Sequence, residues 1–151
     1  MRIGVLSDTH VHALSDIPNS ILMQLSEVDL IVHAGDFTDL AVLEGLRELG
    51  EVKAVCGNMD SIMLKQILPL KEIFMAGGKR IGLVHGSGGP WDIVERTRQM
   101  FDDVDIIIYG HSHESHNGIV QGVLLFNPGP ARKSFGILTI EDDAKGEIVR
   151  I

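Results

Sequence analysis

Five short segments of this sequence gather side chains suited to binding metal. They are Ser7-Asp8-Thr9-His10, Gly35-Asp36, Gly57-Asn58-Met59-Asp60, Val84-His85-Gly86 and Gly110-His111-Ser112-His113. Asp8 and His10 are two apart, so an extended backbone would point both side chains the same way. His111 and His113 share that spacing and that logic. Imidazole nitrogens and carboxylate oxygens suit Mn, Fe, Ni, Co or Zn. A cysteine-rich structural zinc site does not fit, because no thiolate belongs to the set. A carboxylate has two oxygens and can bridge two ions. Asp36 is the best placed to do so, since the glycine before it lets the backbone turn sharply. Each piece alone has an ordinary reading, as a turn or as a hydrogen-bonded core histidine. The weight lies in all five occurring in this order. Nothing in the chain offers a protein nucleophile in a Gly-x-Ser-x-Gly elbow or a Cys-His pair.

Such segments converge only if a scaffold brings their ends to one edge. Strands are expected at Arg2 to Ser7, Asp29 to His33 and Val52 to Cys56. Helices are expected at Ile17 to Ser26, with Asp16 as N-cap, and at Asp39 to Leu49, where Leu40, Leu43, Leu46 and Leu49 recur at helical spacing. This alternation implies parallel strands with right-handed crossovers. Further on, Glu72 to Met75 and Arg80 to His85 flank Gly77-Gly78 as a hairpin. A helix is expected over Trp91 to Phe101 and a strand over Val104 to Tyr109. The tail offers strands at Gly118 to Gln121, Val123 to Phe126, Gly136 to Ile140 and Glu147 to Ile151. The pattern is α/β, with two sheets face to face and helices outside, although periodicity fits a single mixed sheet as well. Each candidate segment lies at or just after a strand end, where ligands collect in open α/β sheets.

At 151 residues the chain fits one domain over 1–151, large enough to bury roughly two thirds of its unfolded surface. The formal charge of -8 argues against long nucleic acid and against anionic membranes as partners. Solubility accounts for such acidity. Carboxylates gathered around cations would account for it too, since two dications bring roughly four positive charges. Cys56 is the one cysteine, so no internal disulfide forms. No signal-peptide pattern and no bilayer-length apolar run is present, and a cytoplasmic location is the expectation.

The series Asp-x-His, Gly-Asp, Gly-Asn-x-Asp, His and Gly-His-x-His resembles the signature of the calcineurin-like metallophosphoesterases. The resemblance covers nearly the whole chain. The short length, the Asn127-Pro128-Gly129 turn and the closing Ser134-Phe135-Gly136-Ile137 segment look like the small bacterial and archaeal phosphodiesterases of that family. It implies a four-layer α/β/β/α sandwich of two mixed sheets. It implies one metal held by Asp8, His10, Asp36 and His113, and another by Asp36, Asn58, His85 and His111, with Asp36 bridging. The activity implied is hydrolysis of a small phosphate ester, with Asp36, Asn58 and His85 as the catalytic set. Two ions about 4 Å apart hold a hydroxide that attacks phosphorus and neutralise the charge that develops.

One position departs from the wider family, many of whose members carry His between the Asn and Asp of the third motif. Here that residue is Met59, which can neither donate a proton nor steady the leaving group. His12 and His116 lie near the motifs and read as exposed polar side chains. Asp60 reads as a turn or supporting residue. Cys56 reads as a core residue at a strand end, and Trp91 and Phe101 as packing a helix. Ser87-Gly88-Gly89 reads as a plain loop and cap, and Arg132-Lys133 as a solvated loop. Two competing functions remain. One is a non-catalytic scaffold, as in the small retromer subunit of the same fold. The other is a phosphomonoesterase, protein phosphatase or nuclease activity in the same site. So small a chain also suits a homodimer through exposed strands or helices.

Overall fold

The computed structural model describes residues 1–151. Three strands pair in parallel: β1 (Arg2–Leu6), β2 (Leu30–His33) and β3 (Val52–Ala54). Two late strands, β9 (Ser134–Ile140) and β10 (Ala144–Arg150), add antiparallel beyond β1, giving the order β10-β9-β1-β2-β3. The second sheet contains β4 (Lys71–Ala76), β5 (Lys79–Val84), β6 (Ile106–Ile108), β7 (His116–Val120) and β8 (Val123–Asn127). Its order is β4-β5-β6-β8-β7, parallel from β5 to β8 and antiparallel at both edges. Both sheets are therefore mixed, and the single-sheet alternative is excluded.

Side-chain alternation sorts each strand between two cores. Ile3 and Val5 of β1 face the other sheet and pack with Ile81, Leu83, Ile106 and Phe126. Leu6 faces the opposite way, into a second core with Ile21, Leu25, Leu43, Leu46 and Leu64. Those five come from α1 (Asn19–Leu25), α2 (Leu40–Leu49) and α3 (Ile62–Ile67). Outside the second sheet, Val94 of α4 (Ile93–Gln99) and Phe101 pack with Val84, Ile107, Tyr109 and Leu125. The result is the four-layer α/β/β/α sandwich.

Local chemistry moves several boundaries. α1 starts at Asn19 with Pro18 as N-cap, whereas Asp16 closes a 3-10 turn over Leu14–Asp16 and accepts from the Ala13 N–H at 3.2 Å. Asp39 caps α2 as expected of a helix start, its carboxylate accepting from the Ala41 N–H. α3 was not foreseen. Ser61 caps it by accepting from the Leu64 N–H, but it is a single short stretch with Ile62, Met63 and Ile67 exposed, so no apolar face announces it. Trp91 does not pack a helix. It is 80% exposed and precedes α4, whereas Phe101 is buried as expected.

Candidate metal centre

The chain leaves its strands by coiling, not by continuing extended. Eight non-glycine residues have positive φ, and Asp8, His10, Asp36, His111 and His113 are five of them. The extended Asp-x-His and His-x-His geometry is thus replaced by left-handed turns. Each such residue costs on the order of 1–3 kcal/mol and persists only where neighbours over-determine it. Here the Asp8 N–H donates to the Gly35 carbonyl at 3.0 Å and the His10 N–H to the Asp36 carbonyl at 3.2 Å. Two glycines allow the loops to touch. A Cβ at Gly57 would collide with Asp36 Oδ1, and one at Gly110 with Ser7 Oγ.

These turns aim one oxygen of each aspartate at a group of histidines. Asp8 is buried, and its Oδ2 accepts from Ser7 Oγ at 2.7 Å and from the His111 N–H at 3.2 Å. Its Oδ1 has no hydrogen-bond partner. That oxygen lies 3.4 Å from His113 Nε2, 3.8 Å from His10 Nε2 and 3.9 Å from His85 Nε2. Asp36 is arranged alike. Its Oδ1 accepts from the Met59 N–H at 2.9 Å, while Oδ2 lies 3.3 Å from His85 Nε2 and 3.7 Å from His10 Nε2. Two groups result, Asp8-His10-His113 and Asp8-Asp36-His85.

His85 shows why a cation fits. Its Nδ1–H donates to the Ala34 carbonyl at 2.8 Å, leaving Nε2 to face Asn58 Oδ1 at 3.1 Å and the two aspartates. All three are oxygen acceptors, so in the neutral ring a lone pair faces lone pairs unless a positive charge stands between them. Burial lowers the His85 pKa, but the Asp36 hydrogen bond and the charges of Asp36 and Asp8 outweigh it and raise it. Burial likewise raises Asp36, and His85 and the Met59 N–H reverse this and hold it below its usual value. A buried carboxylate oxygen with no partner costs several kcal/mol. Divalent cations bound by N and O donors would relieve that cost, and the donor set matches them.

His111 stands apart from both groups. Its Nε2–H donates to the Gly88 carbonyl at 2.9 Å, although its ring lies beside His85 with centroids 5.2 Å apart. Asn58 is exposed at the rim, and so is Met59, whose thioether reaches solvent. His12 is exposed, with Nδ1 3.7 Å from Asp39 Oδ2. His116 departs from its expected exposure, because β7 half-buries it beside Tyr109.

Residues 1–143 match the calcineurin-like phosphoesterase superfamily domain. The chain belongs to this family. A probable metallophosphoesterase of Methanocaldococcus jannaschii is 35% identical over 100% of this chain and 82% of its own. A phosphodiesterase of the same organism is 30% identical over 99% of each chain. Wild-type Vps29 of Entamoeba histolytica, solved with zinc, superposes with a TM-score of 0.76 at 29% identity, over 99% of both chains.

In this calcineurin-like phosphoesterase, three supporting side chains lay outside the expected ligand set. Asp60 is buried and accepts from the N–H groups of Gly57 at 2.7 Å, Thr38 at 2.9 Å and Asp36 at 3.0 Å. Asn127 ties the Gly110 carbonyl and Ser112 Oγ to the turn at Gly129. His33 is fully buried and stacks on Phe37 at 3.5 Å. Its Nδ1 accepts from the Gly35 N–H at 3.0 Å, so its Nε2–H donates to Thr9 Oγ1 at 3.1 Å. Thr9 Oγ1 in turn donates to the Asp36 carbonyl at 3.4 Å. No motif flagged His33, since one apolar-flanked histidine at a strand end carries no spacing signal.

His33 also predicts a pH dependence. Burial, with the charge of His85, lowers its pKa to about 3 in the fold, against 6.5 unfolded. Below pH 6.5 the unfolded chain takes a proton that the folded chain refuses, so stability falls as pH drops toward 3. The slope is about 1.4 kcal/mol per pH unit, or roughly 2 kcal/mol between pH 6.5 and 5. Urea melts of metal-free wild type and His33→Gln at both pH values isolate this residue, because the raised His85 works with the opposite sign in both proteins. The variant should lose roughly 2 kcal/mol less on acidification. Equal losses would rule the assignment out.

Proposed function

We propose that this chain, as a single domain over 1–151, is a metal-dependent phosphodiesterase working through two divalent ions. Asp8, His10, Asp36 and His113 hold one ion. Asp36, Asn58, His85 and His111 hold the other. Mn, Ni, Fe, Co and Zn all suit these donors. The observation that carries the reading is the buried, unpartnered Asp8 Oδ1, facing the Nε2 atoms of His10, His85 and His113. When bound, the ions supply Lewis acidity and an activated water at neutral pH.

The chain's own residues then do three things. Asp36 holds its two oxygens apart, one fixed by the Met59 N–H and one turned to the histidines. His85 is locked by Ala34 with Nε2 facing inward. Asn58, exposed at the rim, offers an amide that can orient an arriving phosphate oxygen. The single cysteine fits a cytoplasmic setting, and no helix is long and apolar enough to cross a membrane. A homodimer through exposed strands or helices fits the chain's size.

The test is hydrolysis of bis-p-nitrophenyl phosphate and of p-nitrophenyl phosphate by metal-stripped protein, with each divalent metal added back. Turnover should appear only with metal and should be faster on the diester. Faster monoester turnover would replace diester with monoester specificity. Folded, metal-loaded protein inert to both would favour a scaffold role, the alternative that the likeness to Vps29 keeps open.

Met59 leads to a second expectation. Its thioether has no proton to give the departing oxygen. Rates across a series of aryl diesters should therefore fall steeply as the leaving group becomes more basic. A flat series, with chemistry rate-limiting, would show that another group supplies the proton.

A further inference from the structure

Next to the candidate metal centre lies a cavity of about 440 Å³, with Asn58 and His85 in its wall. The rest of the wall is largely apolar, formed by Leu70, Val84 and Met100 with Lys65 and Lys71. An apolar space of about 150 Å³ already holds benzene. This cavity therefore has room for a substituted ring, and it falls in the size range of small-ligand sites. Because it shares Asn58 and His85 with the metal centre, a group seated there lies beside whatever the centre holds.

The two lysines add a charge preference. Lys65 Nζ donates to the Asn58 carbonyl at 3.1 Å. Lys71 Nζ donates to the Met100 carbonyl at 2.8 Å and lies 4.9 Å from the Phe101 ring centroid. Those contacts pin both ammonium groups at the cavity wall. Neither is neutralised, since the chain's one lysine–carboxylate pair joins Lys53 to Glu72. An ammonium has three donors, and each of these spends one on a carbonyl. In a chain of net charge -8, two unneutralised cations therefore line one apolar cavity beside the metal ligands.

We propose that this cavity is the subsite for the organic group of the ester, and that it takes a planar apolar group bearing a further negative charge. The proposal rests on the phosphodiesterase reading and narrows its substrate class. Leu70 and Met100 would cover the ring face, and Lys65 and Lys71 would meet the added anion.

Calorimetric titration of manganese-loaded protein with three phosphonates tests this without turnover. Phenylphosphonate should bind at least about tenfold more tightly than methylphosphonate, the scale on which an apolar pocket discriminates added carbon. The 4-carboxyphenyl analogue should gain a few-fold more. Leu70→Ser with Met100→Ser should erase the phenyl preference. Leu70 is 75% exposed and Met100 37%, so the fold tolerates both changes. Lys65→Gln with Lys71→Gln should erase only the carboxylate gain. Equal binding of phenyl- and methylphosphonate, or binding of neither while metal-dependent diester hydrolysis persists, overturns the subsite. Absence of a carboxylate gain overturns its anionic half. Failure of metal uptake and of hydrolysis together would overturn the phosphodiesterase reading instead.

Discussion

Asp36→Asn is expected to lower metal-dependent diester hydrolysis by about a hundred- to a thousandfold while leaving the metal-free protein folded. The substitution keeps the side-chain shape and one carbonyl oxygen, so the Met59 N–H keeps its acceptor. It removes the charge that faces His85 Nε2 at 3.3 Å and His10 Nε2 at 3.7 Å, and replaces that oxygen with a donor. Removing one preorganised electrostatic group from an active site typically costs about 2.7–4 kcal/mol of transition-state stabilisation. At 1.36 kcal/mol per tenfold, that is on the order of 10²–10³. Metal binding gives a readout independent of turnover. A ligand at 100 times its Kd stabilises by about 2.7 kcal/mol, which in a domain of this size raises Tm by roughly 5–10 °C. Manganese should produce that rise in wild type and little or none in Asp36→Asn. A variant that keeps both the rise and the turnover would remove Asp36 from its bridging role.

The candidate ligands stood out in the sequence because metal chemistry restricts such side chains to few residue types, and their motifs sit at strand ends that hydrophobic runs mark clearly. How those residues reach the site was less legible. Asp8, His10, His111 and His113 take left-handed φ values that their spacing does not announce, and for the first three backbone N–H contacts to distant segments, at Gly35, Asp36 and Asp8, help hold the turns. Long-range contacts of this kind leave no local trace. The same holds for His33 and Asn127, each an ordinary strand residue until the loop it supports folds over it. The misreading of Trp91 has a simpler cause. A large aromatic beside an amphipathic stretch usually packs, but α4 begins two residues later and leaves it outside. α3 was missed because its buried side is one leucine, Leu64.

Asp60 carries a large expected effect on stability, and the reason is again a contact between loops. Its carboxylate gathers three backbone N–H groups, from Gly57, Thr38 and Asp36, so it fastens the turn after β3 to the turn after β2. Asp60→Ala strands all three donors. A buried unsatisfied donor costs roughly 1–3 kcal/mol, and Thr38 is near enough to solvent to recover part of its share. The expected loss is about 3–5 kcal/mol, or a Tm lower by roughly 6–20 °C. Asp60→Asn should fall between, because one carbonyl oxygen remains while its amide hydrogens oppose the donors. The effect should also reach the metals. Groups that orient ligands from behind are typically worth 10–100-fold in affinity, and Asp60 holds the backbone of Asp36 itself. Lost stability alone would not do this. Leu46→Ala empties a site in the helix-side core at a comparable cost of about 2–5 kcal/mol. Folded Leu46→Ala should bind manganese as wild type does, whereas folded Asp60→Ala should bind it at least about tenfold more weakly. Equal affinities in the two variants would confine Asp60 to fastening the loops and leave the position of Asp36 to its other contacts.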